Sequence, residues 1–92
     1  MIDKDQNELN RGQQAEDLLN NPIYQEAFVV IKANLMTEFQ KTKFRESKKR
    51  DEVWRKMQTI DWMEKHIKSV VNSGRIAELN IADKSRNKIR GI

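Results

Sequence analysis

The chain has 92 residues and a formal net charge of +4; it is 37% hydrophobic and 35% charged, with one proline, three glycines and no cysteine. So short a chain forms one small domain over 1–92 with no room for a large active-site cleft, and without cysteine it has neither a disulfide framework nor a thiolate metal site. MIDKDQNELN at the N-terminus has no apolar core, and no run approaches the roughly 18 apolar residues of a membrane span, so a soluble intracellular product with no membrane contact is expected.

Apolar spacing is helical throughout, which predicts an all-α fold: an antiparallel helical hairpin with short flanking helices. Residues 1–9 read as a polar arm. In NRGQQAEDLLNN, Asn10 is a candidate N-cap with Gln13 three residues on, and Ala15, Leu18 and Leu19 share a face. Asn20, Asn21 and Pro22 break the chain and restart it, since a proline in the first helical turn sacrifices no hydrogen bond.

From Pro22 to about Lys41 the stripe Tyr24, Ala27, Phe28, Ile31, Leu35 and Phe39 predicts a buried helix face. A second line, Val29, Ala33 and Met36, lies roughly opposite at about 100° per residue. After the turn a second long helix is expected to start between Ser47 and Asp51, either of which can cap, and nearer Asp51 because Lys48, Lys49 and Arg50 oppose the positive helix end. Its stripe is Val53, Met57, Ile60, Met63, Ile67, Val70 and Val71, and Gly74 in NSG reads as its left-handed terminator. Trp54 and Trp62 fall off this stripe. A short helix over Ile76, Leu79 and Ile81 and a mobile basic tail at 82–92 are expected to follow.

Charge is unevenly placed. Residues 1–40 hold three basic and seven acidic side chains, whereas residues 41–50 hold six basic and one acidic, and residues 74–92 five basic and two acidic. The KTKFRESKKR turn supplies Lys41, Lys43, Arg45, Lys48, Lys49 and Arg50, and the tail Lys84, Arg86, Lys88 and Arg90. These residues could neutralise phosphates, with Phe44 stacking on a base or packing beneath the turn, yet no recognition helix, zinc finger or glycine-rich phosphate loop accompanies them. The alternative is a solvated turn between helices.

No enzyme is expected. His66 is the only histidine, so neither a two-histidine relay nor a histidine-rich metal site can be built, and acids adjacent in sequence do not face each other on a helix. No cofactor, metal or small-molecule substrate is anticipated. What remains is surplus apolar surface: Val29, Ala33, Met36, Trp54 and Trp62 need cover either from the flanking segments or from a protein partner or second copy.

Gly12, Ala15, Leu18 and Leu19 before Asn21 and Pro22, then Ala27 and Phe28, then Trp54 and finally Gly74 form a pattern over most of residues 11–78. In this pattern the chain resembles small, uncharacterised helical proteins encoded by tailed bacteriophages. The resemblance implies a viral product from the head-assembly or packaging region, acting in the virion or host cytoplasm, with no active-site residues to transfer. It favours a non-enzymatic interaction protein that oligomerises or docks on a virion component. The alternatives are a nucleic-acid-binding packaging factor resembling a small terminase subunit, or an inhibitor of a host enzyme.

Overall fold

The computed structural model describes the backbone of residues 3–90 and the side chains of residues 3–86. Three α-helices follow one another, α1 (Lys4–Leu19), α2 (Pro22–Lys41) and α3 (Ser47–Arg90), and among the described residues there is no strand, so the fold is all-α. The chain divides into two compact units: Asn20–Lys65, and α1 together with α3 from His66 onward.

The first unit is the hairpin of α2 with the beginning of α3. Asn21 caps α2, its side-chain oxygen accepting from the N–H groups of Ile23 (2.9 Å) and Tyr24 (3.1 Å), which satisfies donors the first helical turn would leave open. The seam combines half-buried Tyr24, Phe28 and Phe39 and buried Leu35 with Val53, Met57 and Ile60 of α3. Val53 is 2% exposed, and Lys32 and Glu64 join the helices by a salt bridge. Antiparallel order follows, because Phe39 meets Arg50 next to the turn while Lys32 meets Glu64 further from it. Ala27, Ile31 and Met63, expected on the buried stripes, are exposed. Two helices alone cover only a narrow arc of each other.

The second unit pairs α1 with the later part of α3. Along α1, Asp5, Glu8, Leu9, Gly12, Ala15 and Leu19 recur at helical spacing and are buried or half-buried. Opposite them stand Val71, Gly74 and Ala77, all buried. Gly12 and Gly74 are apposed so closely that a Cβ on either would stand 2.7 Å from the other's Cα. At the far end Lys84 donates to the Asp5 carboxylate at 3.0 Å and lies 3.7 Å from Asp3.

These contacts correct or refine three expected helix limits. First, α1 starts at Lys4, so the expected arm is helical over its described part from residue 4. Second, α3 starts at Ser47: the Glu46 carbonyl accepts from the Arg50 N–H at 2.9 Å, and the Arg50 side chain is turned back onto α2 instead of standing against the positive end of its own helix. Third, Gly74 does not terminate α3, which continues to Arg90 with no positive-φ glycine among the described residues. A helix-interior glycine costs up to about 1 kcal/mol in propensity, and here the missing side chain is what lets two helix backbones touch. The expected tail is therefore helical as far as Arg90.

Candidate interaction surface and basic turn

Helix α2 is apolar on nearly every side. Eleven of its twenty residues are aliphatic or aromatic, yet only Leu35 among them is buried. A helix with this composition is ordinarily enclosed on all faces. Val29 is 67% exposed and Met36 46%, with Ala33 open between them. Ile23 and Val30 extend this open face, at 70% and 48% exposure. Neither was singled out in the sequence, although Ile23, Val30 and Thr37 recur at intervals of seven beside Ala33.

On α3, Trp54 is half exposed and Trp62 is 76% exposed. Trp54 borders a groove of about 640 Å³ with Phe39, Phe44, Ser47, Arg50 and Asp51. A second open groove, about 740 Å³, runs beside the hairpin seam over Ile31, Leu35 and Ile60 under a charged rim that includes Lys48 and Arg55. All five residues expected to need cover are thus on the surface, on two separate helices of one unit.

The basic turn is a built structure. At the end of α2 the Thr42 N–H and hydroxyl both donate to the Phe39 carbonyl, at 3.1 and 2.6 Å. The Arg50 guanidinium donates to the Thr42 carbonyl (3.2 Å) and Oγ1 (3.0 Å) while lying 4.5 Å from the centre of the Phe39 ring. It therefore serves the carbonyl-rich, negative end of α2, where a cation is favoured. Glu46 closes the turn: its carboxylate accepts from the Lys43 N–H at 3.0 Å and its own N–H donates to the Lys43 carbonyl at 2.8 Å.

This architecture divides the ten basic candidates. Arg50 is occupied by Thr42 and Phe39, Lys49 stands 3.9 Å from Glu46, Arg86 is 3.7 Å from Asp83, and Lys84 is held by Asp5 and Asp3. Lys41, Lys43, Arg45 and Lys48 are exposed, as is Phe44 in the same stretch of sequence, which is 95% exposed and does not pack beneath the turn. The side chains of Lys88 and Arg90 lie outside the described residues.

Two ionisations register the α1–α3 clasp. The hydrogen bond from Lys84, aided by its charge and by Asn80, holds the Asp5 carboxyl below its ordinary range. Conversely, the bond to Asp5 and the negative charge of Asp3 raise the Lys84 ammonium above its own. Within the hairpin, burial and the nearby Glu64 charge raise Tyr24, whose hydroxyl has no hydrogen-bond partner among the described residues. Among the described residues no group of three His, Cys, Asp or Glu is arranged to hold a metal ion, and no helix is long and apolar enough to cross a membrane. No family model, curated protein or solved structure matches the chain.

Proposed function

We propose that the chain is a non-enzymatic interaction protein of phage type, which associates with copies of itself or docks on a virion or assembly component. One observation carries the reading. Among the described residues twelve large hydrophobic side chains are exposed, against five buried hydrophobic residues. Scattered exposed hydrophobics are ordinary, but an apolar helix open on its outer face, with two exposed tryptophans on its neighbour, is the composition of an interface. The resemblance to small phage proteins supplies the biological setting, including the virion or host cytoplasm as the place of action.

Light-scattering mass, recorded over a range of concentrations and salt with and without a short duplex DNA, tests this reading. Association beyond the 10.9 kDa monomer, independent of DNA, is expected. Trp62→Ala, or Val29→Ser combined with Met36→Ser, is expected to weaken it by roughly tenfold with helix content retained. An unchanged association in both variants overturns the reading. A second reading, a nucleic-acid-binding packaging factor, is supported by the four exposed cations in the same stretch as the exposed Phe44, residue types suited to electrostatic and stacking contact. A monomer that gains mass only with DNA, and loses it as salt rises, favours that second reading.

A further inference from the structure

Charge and spacing on the outer face of α2 point to a specific occupant. The positions 23, 26, 30, 33, 37 and 40 follow one another by threes and fours, the spacing of a helix-pairing seam, and hold Ile23, Glu26, Val30, Ala33, Thr37 and Gln40. All six are exposed, and Val29 and Met36 border the seam on one side. Glu26 is the one charged residue within it, and Lys41 flanks its other end. Neither side chain is engaged in an ion pair among the described residues, whereas Lys32, on the hairpin side, is already joined to Glu64.

Orientation follows from these two charges. Parallel pairing of two α2 helices sets Glu26 against Glu26 and Lys41 against Lys41. Antiparallel pairing about a two-fold axis between Val30 and Ala33 brings Glu26 of each copy within one helical turn of Lys41 of the other, and symmetry makes the pair twice. Val30 of each copy then meets Ala33 of the other, and the small alanine allows the close approach such a crossing needs. We infer that the outer face of α2 is a self-complementary, antiparallel interface for a second copy of this chain. The inference rests on the association reading above and adds to it the partner, the face and the orientation.

Four variants of the full chain test it by sedimentation equilibrium, with circular dichroism as the control for folding: Glu26→Lys, Lys41→Glu, the two together, and Val30→Asp. The exposure of these positions makes each change compatible with the fold. Each single charge reversal turns two attractive pairs into two repulsive ones and is expected to weaken dimerisation roughly tenfold at low salt. Restoration by the double reversal to within about threefold is the signature of opposite orientation, and Val30→Asp is expected to yield a monomer at every concentration reached by the parent. Two single reversals that weaken the dimer with no rescue in the double variant overturn the antiparallel arrangement. A dimer indifferent to Val30→Asp but lost in Trp62→Ala overturns the α2 interface while leaving the association reading standing. A parent chain that is monomeric at all concentrations overturns the self-interface outright.

Discussion

Gly12 and Gly74 share one contact, and a methyl group on either has nowhere to go. In an ordinary exposed helix Gly→Ala gains up to about 1 kcal/mol. At Gly12 the new Cβ would sit 2.7 Å from the Gly74 Cα, with the Val70 carbonyl oxygen at 3.3 Å. Both neighbours are backbone and cannot rotate aside, so overpacking, commonly costing about 1–3 kcal/mol, outweighs the propensity gain. Gly12→Ala is therefore expected to lower stability by about 1–2 kcal/mol in urea denaturation. Gly74→Ala is expected to behave alike, and the double variant to lose less than the sum, since the first methyl has already parted the helices. Stabilisation by either alanine would show that the close approach does not persist in solution.

At the scale of elements, the clasp between α1 and α3 has its own pH window. Asp5 is depressed, so its contribution is present above the ordinary carboxylate value, about 4, and is lost as pH falls through the lowered value. Lys84 is raised, so its contribution is present below about 10.4 and is lost as pH rises through the raised value. The difference in thermal midpoint between the parent and Lys84→Gln is thus expected to be greatest between these limits and to shrink on both sides and in high salt. A difference that does not vary with pH would refute the pairing. The helix limits show what single-element reading can and cannot deliver. Asn21 and Pro22 announced α2, because cap and helix are neighbours in sequence, and the stripes containing Leu35 and Val53 identified the hairpin seam. The start of α3 lies at the early end of its expected range, at Ser47 and not near Asp51, because the partner that makes Arg50 welcome there, the end of α2, lies across the turn. Gly74 was misread for the same reason: its purpose is on α1, and local propensity alone makes it a terminator.

At the scale of the molecule, five buried hydrophobic residues among those described are a small core, and folded domains of this length are only marginally stable in any case. If burial is completed by association, folding and assembly are linked and the thermal midpoint rises with protein concentration. A midpoint independent of concentration over a hundredfold range would separate folding from assembly. The candidate surface was legible in part. Val29, Ala33, Met36, Trp54 and Trp62 stood out because their spacing exceeded what one seam could bury, and all five are exposed. The basic set could not be divided from sequence, because a sequence lists cations without showing which are engaged within the fold, as Arg50 and Lys84 are here.

The Lys84–Asp5 contact, 79 residues apart along the chain, also bears on the order of folding. The Arg50–Thr42 contact closes a loop of only eight. Short loops close faster and at smaller entropic cost, so the hairpin can form while α1 still lacks its partner. During synthesis α1 emerges before α2 and α3, so the residues that match it are made only after the hairpin. Until Gly74 and Lys84 have left the ribosome, the glycine face of α1 has nothing to close on.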